Sequence, residues 1–179
     1  MTPRSIDHPA GLPKAQLLDQ CETRTGKVGG PGGQHRNKVE TACFLTHLPS
    51  GVRAQASERR SLAENRQVAL HRLRIALAVH VRSESPQQPP RDTPVPASEL
   101  WQSRCVGGRI RCAADHDDFP LLLAEALDAW HRFSGDARHA AASLQVTATQ
   151  LARFTARERL AWASVQELRK QHRLAPLRV

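Results

Sequence analysis

Gly32-Gly33-Gln34 lies inside the stretch GKVGGPGGQHRNK (residues 26–38), where five glycines and a proline precede a short polar and basic run. Glycines without Cβ atoms let a backbone approach a crowded partner closely and adopt positive φ. Pro31 limits the conformational freedom of the same segment. Gln34 then offers an uncharged side-chain amide and a main-chain N–H, with Arg36 and Lys38 close behind to hold phosphates. This combination suits a probe entering a narrow, anionic cavity in which a charge at the tip would be unwelcome. His35 has the chemistry of a general base, although stacking or hydrogen bonding to a nucleic acid is the better reading. A phosphate-binding P-loop needs Gly-Lys-Ser/Thr and a following helix, whereas Gly33 is followed by Gln34 and His35. GGPGGQ does not supply a dinucleotide-binding G-x-G-x-x-G either. The plainer alternative, a flexible surface loop, does not account for Pro31 amid the glycines or for the QHRNK that follows.

The 179 residues carry a formal net charge of +9, with a pI near 10.6 and a mean hydropathy of −0.50. A basic excess of this size points to a polyanion, with nucleic acid as the default partner. From Arg24 to Arg82 eleven Arg or Lys face three Glu, so nearly all of the excess lies with the glycine loop. Cys21, Cys43, Cys105 and Cys112 form no CxxC pair, and their spacing fits no zinc site; no metal or cofactor is expected. Cys43 falls within an apolar strand pattern and reads as core. The start of the chain has no apolar signal-like segment, and no stretch reaches transmembrane length, so a reducing cytoplasm fits best.

Several elements must position the loop. Residues 1–20 read as an arm with a small apolar patch at Leu17 and Leu18. Glu22 to Lys27 read as a polar strand leading into the loop. VETACFLTHL reads as a second strand and VRAQA as a third, joined by a turn at Pro49, Ser50 and Gly51. From Glu58 to about His80 the period becomes helical, with Leu62, Ala69, Leu73, Ala76 and Leu77 on one stripe and Arg59, Arg66 and Arg74 largely off it. Ser61 and Glu64 have capping-box spacing. Residues 83–98, SESPQQPPRDTPVPAS, hold five of the twelve prolines and read as an extended linker. Beyond them GGRIRC suggests a short strand. A helix begins at Phe119-Pro120 and stops at Gly135, and Asp136 caps the next. ARHAAASLQVTATQLARF has helix-turn-helix spacing with Leu144, Val146 and Leu151 inside, and a last helix runs from about Arg157 to Gln171. The helix-turn-helix spacing fits nucleic-acid contact through Gln150 and Arg153, but a small helical bundle that packs by the same rule is the better reading. Trp101, Trp130 and Trp162 read as core.

The span GGPGGQHRNKVETACFLTHLPSGVRAQASERRSLAENRQVALHRL resembles the Gly-Gly-Gln domain of class I peptide chain release factors and of small ribosome-rescue hydrolases, over about residues 17–82. The resemblance rests on the triplet itself, on HRNKVETA behind it, on the THLPSGV hairpin and on the RRSLAENRQVAL helix start. It implies a small mixed GGQ domain of β-hairpin, sheet and long helix over residues 1–85; with the proline-rich linker over 86–98 and the mainly helical accessory domain over 99–179 that the residue pattern gives, an α+β fold is expected. It implies catalytic roles for Gly32, Gly33 and Gln34, with the Gln34 N–H stabilising developing charge and its side chain positioning water. Ribosomal RNA and the transfer RNA would supply much of the remaining chemistry. It also implies RNA contacts through His35, Arg36, Lys38, Arg59, Arg60 and Arg66. The implied partners are the ribosome, peptidyl-tRNA and a glutamine methyltransferase that modifies Gln34.

Only about twenty residues precede the resembling span, which leaves no room for a stop-codon-reading domain; codon-independent hydrolysis of peptidyl-tRNA, as in ribosome rescue, is therefore expected. The chain departs from the small rescue hydrolases too, since the proline-rich segment and a charge-mixed helical segment stand where those proteins carry a basic tail. The whole chain looks closest to release-factor-like bacterial proteins with a helical C-terminal extension. Two other readings stay open: a non-catalytic ribosome- or RNA-binding factor, and a DNA-binding regulator built on the C-terminal helices.

Overall fold

The computed structural model describes residues 8–27, 40–83 and 97–179. Three antiparallel strands, β1 (Cys21–Gly26), β2 (Ala42–His47) and β3 (Arg53–Ala56), form a sheet in the order β1-β2-β3. Alternation along β2 places Cys43, Leu45 and His47 on one face, where all three are buried. The β2–β3 turn closes with Gly51 at φ +69°, a conformation that glycine adopts without a Cβ penalty, and the Gly51 N–H donates to the His47 carbonyl at 2.8 Å.

Residues 62–80 contain neither Gly nor Pro and form the longest helix, which follows α1 (Lys14–Asp19) and is labelled α2 (Leu62–His80). The Ser61 hydroxyl caps it by accepting from the Glu64 N–H. Its buried residues include Ala69, Leu70, Leu73, Leu77 and Ala78. They face β2 and β3 on one side and α4 (Phe119–Arg132) on the other.

After the proline-rich segment come α3 (Glu99–Arg104) and a small hairpin of β4 (Cys105–Val106) and β5 (Arg109–Ile110). Gly107 and Gly108, at φ +58° and +70°, make its two-residue turn. Then α4, α5 (Ala137–Ser143), α6 (Ala148–Thr155) and α7 (Arg159–Gln171) build a helical unit. Trp101 and Trp130 are fully buried there, and each indole N–H has an acceptor: the Leu144 carbonyl at 2.9 Å and Thr155 Oγ1 at 3.1 Å. Trp162 is half-buried. The apolar core is continuous from Leu17 through the sheet and α2 into the helical unit, ending at Leu168. The fold is α+β.

The structure corrects several local expectations. The N-terminal arm is folded from His8 onward: a 3-10 turn at Pro9–Gly11 precedes α1, Leu17 is fully buried, and the His8 Nε2–H donates to the Val81 carbonyl at 3.1 Å. A Cβ at Gly11 would meet the Leu121 side chain at 2.7 Å, so glycine there permits close approach of the arm to α4. Arg74 is buried rather than off the stripe, because its Nε–H donates to the Ala10 carbonyl at 2.8 Å and Asp117 lies 3.8 Å away. Leu62 is exposed, since it opens the helix before its buried face begins. Asp118, immediately before α4, pairs with Arg104 at 2.6 Å and makes no side-chain cap hydrogen bond to the helix. At the end of the proline-rich segment Ala97 and Ser98 are buried. Ser98 donates through its N–H and its hydroxyl to the Glu125 carboxylate, both at 2.7 Å.

Candidate functional site

Gly32, Gly33, Gln34, His35, Arg36 and Lys38 lie outside the described residues, but the frame that holds their segment is defined. Gly26 at the end of β1 pairs with Ala42 at the start of β2, so the two ends of the 27–41 connection are fixed side by side. Cys43 pairs with Ala56, which brings the end of β3 to the same end of the sheet. The residues after β3 turn back there to start α2.

Asn65 ties these pieces together. It is fully buried on the first turn of α2, and its Oδ1 accepts from the Arg59 N–H at 2.9 Å. Its amide NH2 donates to the Arg59 carbonyl at 2.9 Å and to the Thr41 carbonyl at 2.7 Å. One side chain thereby joins the exit of the glycine segment, the Arg59–Arg60 turn and the long helix. Glu58 reinforces the turn by pairing with Arg72 at 2.6 Å, while Arg72 also donates to the Gln55 carbonyl at 2.9 Å. The Glu58 carboxyl is held below its ordinary range, mainly by the backbone N–H groups of Ser57 and Glu58 and then by Arg72.

Arg59, Arg60 and Arg66 are exposed, and none has a carboxylate partner among the described residues. Arg66 lies close enough to Cys43 to act on its thiol electrostatically. Arg59 and Arg60 thus belong to the turn at the end of the sheet from which the glycine segment leaves, and Arg66 follows Asn65, which bonds that turn, on α2. At the other end, beside the Cys21–His47 pair, the buried His47 ring is held between Ser50 Oγ at 2.6 Å and Gln20 Oε1 at 3.0 Å. The amide oxygen can only accept, so Nε2 carries the proton and Nδ1 accepts from the Ser50 hydroxyl. That end is braced rather than open.

Other chemistry is scarce. Burial pushes all four cysteine thiols up, Cys105 to about 11, which lowers their thiolate fraction at neutral pH. Among the described residues no group of three His, Cys, Asp or Glu could hold a metal ion, and no helix is long and apolar enough to cross a membrane.

The sequence model of the RF-1 domain matches residues 18–111, more than half of the chain. The chain belongs to the RF-1 domain family. The RF-1 match begins in α1, takes in the three-stranded sheet and α2, and continues past the proline-rich segment to the end of the β4–β5 hairpin. It thus reaches well beyond the 17–82 span that the motifs carry. Peptide chain release factor 1 of Chloroherpeton thalassium is 42% identical over 74 residues, covering 38% of this chain and 21% of that protein. Peptide chain release factor 2 of Variovorax paradoxus is 47% identical over 58 residues, covering 32% of this chain and 16% of that protein. The chain matches about a fifth or less of the length of these relatives. Asn65, Glu58 and Arg72, which brace the exit of the glycine segment and the turn before α2, carry no site role in the sequence pattern. The only signal was an asparagine, a weak helix former, placed one turn inside a helix.

Proposed function

We propose that this protein hydrolyses the ester between peptide and transfer RNA in the ribosomal peptidyl transferase centre, independently of the codon, in the cytoplasm. The observation that carries the reading is the RF-1 match, which encloses Gly32-Gly33-Gln34 in a segment whose ends are paired at Gly26 and Ala42. In this reading Gly32 and Gly33 supply the backbone conformation. The Gln34 N–H stabilises the charge that develops as water attacks, and the Gln34 side chain positions that water. Arg36, Lys38, Arg59, Arg60 and Arg66, with His35, hold ribosomal or transfer RNA. Exposure of the three described arginines, in the turn at the loop end of the sheet and on α2, with no carboxylate partner among the described residues, supports this role. Gln34 is then also the residue a release-factor glutamine methyltransferase would modify.

The deciding experiment is peptide release from ribosomes that carry an empty messenger channel, a sense codon or a stop codon in the acceptor site. Comparable release in all three states is expected. Release confined to stop codons would overturn codon independence, and no release in any state would leave a non-catalytic RNA-binding factor. Gly33→Ala should cost on the order of a hundredfold or more in rate, since a misplaced oxyanion donor is worth ~2.7–4 kcal/mol. Gln34→Ala should be milder, because it keeps the N–H. An unchanged rate for Gly33→Ala would remove the catalytic assignment.

A further inference from the structure

Over residues 100–179 twelve basic residues are mixed with eight carboxylates, a net of +4. The fold uses those carboxylates for other purposes. Asp117 pairs with Lys14 at 3.0 Å and also approaches Arg74, and Asp128 pairs with Arg82 at 3.3 Å, so two of them neutralise cations of the N-terminal half. Asp118 pairs with Arg104, Glu125 holds Ser98, and Glu167 meets Lys170. Asp136 and Glu158 cap the N-termini of α5 and α7. Of the eight, only Asp115 has no such role among the described residues. Few carboxylates are thus left for the arginines around β5 and α6.

Four of these arginines lie on or beside β5 and the C-terminal half of α6, two elements in contact. β5 packs against α6, with Ile110 buried beneath it alongside Leu151 and Phe154. Strand alternation carries through residues 109–112: Ile110 and Cys112 are buried, and Arg109 and Arg111 are exposed. Arg153 is exposed on α6, one turn before Arg157. Arg157 closes the group, because its guanidinium lies 5.7 Å over the Phe154 ring and donates to the Cys112 carbonyl, next to Arg111. Arg109, Arg111 and Arg153 have no carboxylate partner among the described residues. At the tip of the hairpin, Val106 is 53% exposed.

We propose that Arg109, Arg111, Arg153 and Arg157, where the β4–β5 hairpin meets α6, form a second RNA-binding surface that grips the phosphate backbone of a helical RNA. Planar guanidinium forks suit phosphate oxygens, and exposed arginines that form no ion pair within the described residues gain from a polyanion. The choice of RNA rests on the ribosomal reading above; the placement of the arginines does not. Through this surface the helical half would hold the protein on ribosomal RNA while the glycine segment acts elsewhere.

The test uses the full chain with Arg109→Gln, Arg111→Gln and Arg153→Gln combined. Arg157 stays, because it also holds the Cys112 carbonyl. Binding to a short blunt-ended RNA duplex and to a DNA duplex of the same sequence is followed by fluorescence anisotropy between 50 and 200 mM salt. The variant should lose roughly tenfold or more in RNA affinity, and its log–log salt slope should fall in magnitude by about 2–3. Its thermal midpoint should not move, as all three side chains are exposed. An unchanged slope, or tighter binding of the native chain to DNA than to RNA, overturns the proposal. Peptide release is scored separately. If the native chain releases no peptide, the hydrolase reading falls, while the RNA result still decides this surface.

Discussion

Asn65 accepts one and donates two hydrogen bonds from a fully buried position, and together they join the Arg59 turn and the Thr41 strand entry to α2 at the loop end of the sheet. Replacing it with leucine keeps the bulk and leaves the Arg59 N–H and the Arg59 and Thr41 carbonyls without that partner. The cost should be about 1–3 kcal/mol, or a drop on the order of 5 °C in thermal midpoint for a chain of this size. Amide exchange at Arg59 should quicken in the same variant; an unchanged midpoint and exchange rate would mean that water replaces Asn65 freely. His47 gives a pH signature. Burial lowers its pKa from 6.5, so the unfolded chain takes up the proton first. The stability it contributes is therefore complete above pH 6.5 and declines as pH falls below that value. His131, lowered by burial and by Arg82, acts in the same direction. The lowered carboxyls of Glu58, Asp117 and Asp136 also lose stability on acidification, but only nearer pH 4. Thermal midpoints should thus fall between pH 7.5 and 5.5, and His47→Gln should flatten that fall. Equal slopes for the two proteins would assign the dependence to His131 or to other groups.

At the scale of elements, α2 joins the two halves. Its residues Leu70, Leu73 and Leu77 are buried because the sheet covers one side of the helix and α4 the other. Arg82, just beyond its end, reaches Asp128 on α4 and also donates to the Ala78 and Val79 carbonyls, which closes the helix terminus. Leu73→Ala should cost about 2–5 kcal/mol, since the cavity it leaves has walls on both sides and little room to collapse. Thermal unfolding by circular dichroism would show this as a fall of roughly 5–15 °C. A change of a degree or two would mean that the α2–α4 contact is loose.

At the scale of the whole molecule, we propose that residues 1–85 and 99–179 unfold together, although a proline-rich segment divides them in the sequence. The core that runs from Leu17 to Leu168 favours one cooperative unit. All three tryptophans lie in the C-terminal half, so their fluorescence reports on that half alone. Its midpoint in urea should coincide with that of far-UV circular dichroism, which samples both halves. Two separated transitions would restore independent domains.

Much of this was legible in the residues themselves. The three strands, the Ser61 and Asp136 caps and the helix-turn-helix spacing follow from local chemistry: alternation, hydroxyl or carboxylate acceptors at helix starts, and the 3.6-residue period. What surrounds each residue was not legible. Arg74 looks like any exposed helix cation until the arm brings the Ala10 carbonyl to it. Asn65 looks like a weak helix residue until Thr41 and the Arg59 turn arrive around it. The helical half looks charge-mixed until its carboxylates are seen at caps and at the junction with Lys14, Arg74 and Arg82. Local propensity acts over a few residues, so the sequence by itself determined the elements and the family. Burial, hydrogen-bond satisfaction and charge pairing depend on neighbours dozens of residues away, so the tertiary structure alone decided which cations are buried, which are paired and which are left facing outward.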